Sequence, residues 1–202
     1  MTRRKTFILK FLVWLACLAP LARLVYRGAA GRLTANPIEF ITLSTGTWTL
    51  VFLLATLGIT PLRKITGVSW LIRFRRLTGL FAFFYACLHF TTYICLDKFF
   101  DFPEIIKDVV KRPFITAGFS AFLLLIPLAA TSTSGWTRRL GGRRWQLLHR
   151  LIYPAAAAAV LHFWWKVKAD TRVPAIYAGI LAALLLFRIG AWAVRRRRRP
   201  RQ

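Results

Sequence analysis

The sequence predicts an all-α integral membrane protein in which six transmembrane helices form one bundle and both termini are cytoplasmic. Hydrophobic residues make up 57% of the 202 residues, and they come in uninterrupted runs. Each run is about twenty residues long, the length that a helix needs to cross a hydrocarbon core of about 30 Å. As a helix, each run satisfies its own backbone hydrogen bonds, and none shows the period-two alternation of a barrel strand.

The six apolar runs cover residues 7–26, 40–59, 77–96, 114–131, 145–165 and 174–194, and we expect one domain over residues 1–202. The first run continues past Pro20 to Tyr26. It is therefore longer than the core of a secretory signal, and it predicts an uncleaved helix. The second, third, fourth and sixth runs follow from length and apolar composition. The fifth contains Pro154, which frees a carbonyl and bends a helix axis.

The basic residues predict the orientation. The side that holds the two termini carries 18 Lys and Arg residues in its tails and loops, and the opposite side carries 9. By the positive-inside rule, both termini are cytoplasmic. In a soluble domain the net charge of +25 would suggest nucleic-acid binding. Here the basic inner rim faces anionic membrane lipids, so we expect lipid contacts and no nucleic-acid partner.

Three histidines occur in the chain, and each lies within a predicted span: His89 in the third, His149 and His162 in the fifth. An ionisable residue in a bilayer is costly and usually faces the bundle interior. Imidazole is also the usual axial ligand of haem iron. His89 lies 12 residues into its span and His162 lies 17 into its own, so their depths differ by roughly 7 Å. We expect these two histidines to hold one haem in the outer half of the membrane.

His149 lies 13 residues before His162, about 20 Å closer to the cytoplasm, and marks a second level. On the third span Arg75 lies 14 residues before His89, and 14 steps of 100° return to within about 40° of the same face. Arg75 is therefore the candidate partner of His149. Two objections stand beside this pairing. A protonated guanidinium has no lone pair for iron, so Arg75 is equally a partner for a haem propionate or a positive-inside residue. On an ideal helix, His149 and His162 also point apart.

Small and aromatic residues near the histidines suit a flat apolar cofactor, although both are ordinary in membrane packing. The small residues are Gly79 and the alanines at 155–159. The aromatic candidates for the pocket wall are Phe81, Phe83, Phe84, Phe90 and Phe163.

The three cysteines, Cys17, Cys87 and Cys95, show no metal-ligand spacing. The Cys-x-x-Cys-His motif of covalent haem attachment is absent, so the sequence predicts b-type haem, one or two per chain. A dinucleotide fingerprint and a nucleophile with an orienting base are also absent. We therefore expect no catalytic residue in this chain.

Six short segments resemble a known family: LATLGITPL (54–62), RFRRLTGL (73–80), YACLHFTTY (85–93), TSTS (131–134), RRWQLLHRLIY (143–153) and HFWWKVK (162–168). Together they resemble the MsrQ family, the haem-binding membrane subunits of bacterial MsrPQ methionine sulfoxide reductases. This family lies within the ferric-reductase-like transmembrane group, and the resemblance covers nearly the whole chain.

The resemblance implies a multi-pass protein of the bacterial inner membrane. Its electrons would come from the quinone pool or from a cytoplasmic flavin reductase. They would pass through haem to MsrP, a periplasmic molybdopterin enzyme that repairs methionine sulfoxide in proteins. The resemblance also implies FMN, for which the sequence contains no motif. It matches His89 and His162 to the outer haem ligands, and His149 and Arg75 to the inner pair.

Two other functions stay open. One is a ferric or superoxide-generating reductase, which would be expected to carry a fused NAD(P)H and flavin domain. The other is a haem-free membrane scaffold, for which histidines at matched depths would be a coincidence. The outer segment 97–112, which mixes acids with phenylalanines, is either a docking surface for the partner or an amphipathic segment on the membrane.

Overall fold

The computed structural model describes residues 3–197, and this part of the chain is helical with short connectors and contains no β-strand. The α-helices are α1 (Arg3–Ala29), α2 (Pro37–Thr66), α3 (Arg75–Thr92), α4 (Phe102–Lys111), α5 (Pro113–Ala130), α6 (Ser134–Leu148), α7 (Ile152–Lys166) and α8 (Arg172–Arg197). A 3₁₀ helix, Ser69–Phe74, leads into α3, and a π-helical turn, Tyr93–Asp97, follows it. A second 3₁₀ turn, His149–Leu151, joins α6 to α7.

Five segments are long and apolar enough to cross a membrane: Thr6–Ala29, Pro37–Thr66, Ser69–Asp97, Pro113–Ala130 and Arg172–Val194. They coincide with the first, second, third, fourth and sixth predicted runs. Large apolar side chains on them remain exposed, for example Phe7 at 72% and Leu186 at 66%. Such side chains suit a hydrocarbon solvent, so the prediction of an all-helical, multi-pass membrane protein is confirmed.

The fifth predicted run, residues 145–165, is helical throughout, but a 3₁₀ turn divides it into two α-helical parts. Pro154 has no N–H to donate to the carbonyl of Arg150, and the helix tightens into the 3₁₀ turn just before this point. The helical region also begins earlier than predicted, at Ser134. It breaks at Gly141, whose φ of 70° lies in the left-handed region that glycine adopts without strain.

The interior is built from two closely packed helix pairs. The most extensive contacts are those of α2 with α3 and of α5 with α7, and α3 also touches α5. Ala82, Ala155 and Ala156 are fully buried at these interfaces, where small side chains let helix backbones approach. The Thr56 and Thr78 hydroxyls share a hydrogen bond of 2.9 Å between α2 and α3.

The Tyr85 hydroxyl of α3 is inserted into the backbone of α1. It donates to the carbonyl of Cys17 and accepts from the N–H of Leu21, both at 3.0 Å. In a regular α-helix, the carbonyl of Cys17 and the N–H of Leu21 would form a hydrogen bond with each other. Pro20, beside them, loosens the helix at this point. Tyr85 therefore ties the outlying α1 to the bundle.

A second proline-freed carbonyl connects α2 to α8. Pro61 lies inside α2 and cannot donate to the carbonyl of Leu57. Arg188 of α8 donates to that carbonyl at 2.5 Å. A cation within the apolar α8 thus satisfies a backbone group that has no partner in its own helix.

Candidate functional site

The structure brings His89 and His162 together. His89 projects from α3 and His162 from α7, and their ring centroids are 6.0 Å apart with planes inclined by 74°. Both rings line a cavity of about 300 Å³ between α2, α3, α5 and α7. The two histidines that the sequence matched by depth therefore face one space.

Each ring is oriented by a backbone carbonyl of a neighbouring helix. His89 Nδ1 lies 2.9 Å from the Thr42 carbonyl of α2, and His162 Nδ1 lies 2.6 Å from the Phe114 carbonyl of α5. A carbonyl only accepts, so each Nδ1 carries the hydrogen and donates it. The lone pair of each neutral ring is then on Nε2, which is available to a metal.

Two glycines make room for these rings. A Cβ at Gly46 would lie 2.9 Å from His89 Cε1, and a Cβ at Gly118 would lie 2.6 Å from His162 Nδ1. Each glycine follows the accepting carbonyl by four residues, one helical turn. Sequence reasoning missed both glycines, although a glycine inside an apolar span is itself a signal of close approach.

The walls of the cavity are mostly apolar. Phe90 and Phe163 line it, as predicted, and Phe90 stacks on Phe122 at 4.6 Å between ring centroids. The prediction was wrong for Phe81, which is 7% exposed and packs on Phe52 in the helix core instead. Phe83 and Phe84 are likewise outside the cavity lining. Two neutral imidazole rings that face one largely apolar space are the kind of donor set that would hold a haem iron.

The mouth of the cavity lies under α4. Tyr93, Asp97, Val109, Arg112 and Lys166 line this end. Sequence reasoning did not single out Lys166, and α4 was expected only as part of segment 97–112, a docking surface for the partner or an amphipathic segment on the membrane. The mouth thus combines polar groups from the ends of three helices with an otherwise apolar lining.

Asp108 holds α4 in this position. It is 2% exposed and lies 2.6 Å from Lys98, 3.0 Å from Arg112 and 3.2 Å from the Tyr93 hydroxyl, which donates to it. Burial raises the pKa of this carboxyl. The hydrogen bond from Lys98 and the charges of Lys98 and Arg112 outweigh burial and hold the pKa below its usual range.

His149 lies at a separate level, at the end of α5. Its ring stacks on Trp145, with centroids 3.9 Å apart. Its Nε2 lies 3.1 Å from the Thr131 hydroxyl, which itself donates to the Pro127 carbonyl at 2.6 Å. Because the hydroxyl hydrogen is used there, His149 Nε2 carries a hydrogen and donates it to Thr131.

His149 and His162 both face α5, against the expectation for an ideal helix. The 3₁₀ turn His149–Leu151 winds by three residues per turn, which adds roughly 60° of twist over its length. That extra twist reduces the misfit expected for an ideal helix from about 140° to about 80°. It lies at the turn before Pro154, and Pro154 was the predicted source of the departure.

Arg75 begins α3 and is half-buried, whereas Arg76 is exposed. Arg75 lies within Coulombic range of His149 and of Tyr153. The structure therefore brings Arg75 into the neighbourhood of His149, as the periodicity of α3 predicted. It places the pair at the opposite end of the helices from the His89 and His162 cavity.

The fold and the site together place this protein in one general class, that of helical membrane proteins in which two histidines face one apolar cavity. Residues 41–160 match the family model described as the ferric reductase like transmembrane component. This matched region includes α2 through most of α7, and hence His89 and His149 with both carbonyls that orient the rings.

Curated relatives define the family more narrowly. A protein of Herminiimonas arsenicoxydans is 57% identical over 192 residues, which are 94% of this chain and 88% of the relative. One of Ralstonia nicotianae is 55% identical over 88% of this chain and 82% of its own length, and one of Rhodospirillum rubrum is 55% identical over 94% and 90%. All three are named protein-methionine-sulfoxide reductase heme-binding subunit MsrQ. The chain belongs to the MsrQ family.

Proposed function

We propose that this chain is a b-type haem electron-transfer subunit of a methionine sulfoxide reductase system. The observation that carries the proposal is the pair His89 and His162, with free Nε2 atoms across one apolar cavity. The names of the relatives, which describe them as heme-binding subunits, support the same cofactor.

When bound, haem supplies one-electron transfer, because its iron takes up and releases single electrons. His89 and His162 would hold the iron, and the carbonyls of Thr42 and Phe114 keep each ring in the tautomer whose Nε2 has a lone pair to give. The apolar walls keep water away. Both rings would be used to hold the haem, so we assign this chain electron transfer and no catalytic residue.

We propose a second haem site at His149 and Arg75. The proposal is supported by the proximity of these two residues at the other end of the bundle. Ligation through His149 Nε2 requires the ring to give up its hydrogen bond to Thr131. Ligation by Arg75 requires a deprotonated guanidinium, so a propionate contact is the alternative role of this residue.

The proposed route crosses the bacterial inner membrane, from the quinone pool or a cytoplasmic flavin reductase to a periplasmic molybdopterin partner of the MsrP type. It requires six spans with cytoplasmic termini, the sixth formed by the helical region that includes α7. The distribution of 18 basic residues against 9 supports this orientation. FMN is retained as a further proposed cofactor, on family membership alone.

The test is visible spectroscopy of purified, haem-supplied protein, oxidised in air and reduced with dithionite. Wild type is expected to show a b-type α-band, and a pyridine haemochrome assay gives the haem content per chain. His89→Ala and His162→Ala are each expected to remove or shift the band of the outer haem. His149→Ala is expected to remove a second contribution. Leu161→Ala, a lipid-exposed neighbour of His162, is the control and should leave the spectrum unchanged.

A wild type that shows no haem band would refute the electron-transfer proposal and leave a haem-free membrane scaffold. A haem band that survives both His89→Ala and His162→Ala would refute this ligand pair. The ferric or superoxide-generating reductase is separated by reacting the reduced protein with a ferric chelate, with oxygen and with an MsrP-type partner. Faster oxidation by the chelate or oxygen than by the partner would favour that class.

A further inference from the structure

Two cations lie at the mouth of the histidine cavity. Lys166 is at the end of α7 and Arg112 directly precedes α5, and both line the cavity. Lys166 is within Coulombic range of both imidazole rings. The walls deeper in the cavity are largely apolar, so the positive charge is concentrated at one end.

Of the two cations at the mouth, Arg112 has an acid partner and Lys166 has none in the part of the chain that the structure describes. Lys98, Lys107 and Arg112 each pair with Glu104 or Asp108. Within residues 3–197, no carboxylate lies at ion-pair distance from the Lys166 ammonium, although Asp97 lines the same mouth.

Arg112 retains part of its hydrogen-bonding capacity. Its Nε donates to Asp108, and the half-exposed guanidinium keeps two Nη groups for another acceptor. An ammonium with three donors and a guanidinium fork at one end of an apolar cavity together form a site for carboxylates.

We propose that Lys166, assisted by Arg112, binds the propionate carboxylates of the haem held by His89 and His162. This inference rests on the proposed function, because it concerns the same haem. Haem b is a flat apolar disc with both carboxylates on one edge. The apolar end of the cavity cannot solvate that edge, whereas the cationic mouth pairs with it. Lys166 thereby determines which way the disc lies between the two histidines.

The test compares haem b with haem b dimethyl ester, in which both carboxylates are capped and the iron and porphyrin ring are unchanged. Haem-free protein in detergent is titrated with each, and the dissociation constant is read from the visible band. Wild type is expected to bind the ester about tenfold more weakly. Lys166→Gln should weaken haem b by about tenfold and the ester by less than about twofold, so that the two affinities converge.

Two variants control for structural damage. Lys166→Arg keeps the charge and should restore the preference for haem b. Lys168→Gln removes an exposed lysine two residues further along, outside the cavity lining, and should match wild type. The reduction midpoint potential of each haem-loaded variant gives a second readout. Only Lys166→Gln is expected to shift it, because this variant alone alters the charge beside the rings.

Equal affinity of wild type for the two haems would overturn the proposal without any variant, even if Lys166→Gln does not fold. An undiminished preference for haem b in Lys166→Gln would also overturn it. Lys166 would then only extend to the membrane surface or contact a lipid phosphate. A wild type that binds neither haem refutes the haem proposal itself, which distinguishes the two failures.

Discussion

At the scale of single residues, the site depends on two positions that carry no functional group. Gly46 and Gly118 let imidazole rings approach the backbones of α2 and α5 closely enough to donate to their carbonyls. The carbonyl then selects the tautomer that leaves Nε2 free. The free Nε2 of each histidine is therefore set up by a glycine and a carbonyl on another helix.

Gly46→Ala is expected to displace His89, because the new Cβ would lie 2.9 Å from its Cε1. We predict that haem affinity falls about tenfold or more, since a ring moved off its carbonyl loses its orientation. The measurement is haem titration by visible absorption. Gly58→Ala, on the same helix with nothing within 4 Å of the new Cβ, is the matched control and should keep full affinity. Equal haem binding by both variants would contradict this account of Gly46.

At the scale of elements, α4 is a short amphipathic helix fastened over the cavity mouth. Its acids are engaged in ion pairs, Asp108 with Lys98 and Arg112 and Glu104 with Lys107. Its apolar residues form an exposed stripe of one residue every four: Phe102, Ile106 and Val110. The preceding Phe99 and Phe100 also point outward, at the strained positive φ values of 48° and 62°. These features favour the membrane-surface interpretation of segment 97–112 over an acidic docking surface.

The attachment of α4 should depend on the charge of Asp108. The pKa of this carboxyl is lowered in the folded protein. Its contribution to the stability of the folded state is therefore fully present at pH values above its ordinary pKa of about 3.9. That contribution is lost as the pH falls through the lower folded value. We expect hydrogen-exchange protection of α4, corrected for intrinsic rates, to stay constant from about pH 8 to pH 5 and to fall below about pH 4. In Asp108→Asn, the hydrogen-exchange protection of α4 should already be about tenfold lower than in wild type at pH 7.

The exposed Asp170 of the loop before α8 provides the comparison for this prediction. Asp170→Asn should leave the protection of α4 unchanged at every pH. If Asp108→Asn keeps wild-type protection at pH 7, the ion pairs of Asp108 do not hold α4.

The apolar stripe of α4 is expected to lie against lipid head groups. In a variant lacking the three native cysteines, Ile106→Cys labelled with an environment-sensitive fluorophore should be quenched by nitroxides placed shallowly in the bilayer. Lys107→Cys, on the polar side, should be quenched by a water-soluble agent instead. Shallow-nitroxide quenching that is equal at the two positions would show that α4 does not rest on the membrane by this stripe.

At the scale of the whole molecule, the proposed electron route depends on how the bundle is oriented in the membrane. The cavity of His89 and His162 opens beside α4, on the side with fewer basic residues, and His149 lies towards the opposite side. Proline-freed backbone groups join the peripheral helices to this frame, through Tyr85 for α1 and Arg188 for α8. With the proposed orientation, the cavity of His89 and His162 would face the periplasm and His149 would face the cytoplasm.

Reporter fusions test this orientation. Alkaline phosphatase inserted after Asp170 is expected to be active, because the loop before α8 would lie in the periplasm. The same enzyme inserted after Gly142 should be inactive, and a fluorescent protein at the C-terminus should be bright, because both lie on the basic side. Phosphatase activity after Gly142 would reverse the assigned orientation.

The sequence by itself determined the all-helical membrane class, the functional candidates and the positions of five spans, although the second span runs on to Thr66 and the third already begins at Ser69. It could do so because lipid requires each span to be apolar and to satisfy its own backbone, and both properties are local. It also paired His89 with His162, since depth depends only on the rise per residue. Membership of the MsrQ family followed from contiguous segments of the chain.

Only the tertiary structure decided how the rings are held. Gly46 and Thr42 lie more than 40 residues from His89 along the chain, and hydropathy contains no information on which helices pack together. The 3₁₀ turn that directs His149 towards α5, and the arrangement of Asp108 and Lys166 around the mouth, likewise depend on contacts between helices. Apolar periodicity identifies what enters the membrane, whereas the orientation of a ligand is set by the few ångströms between helices that pack against each other.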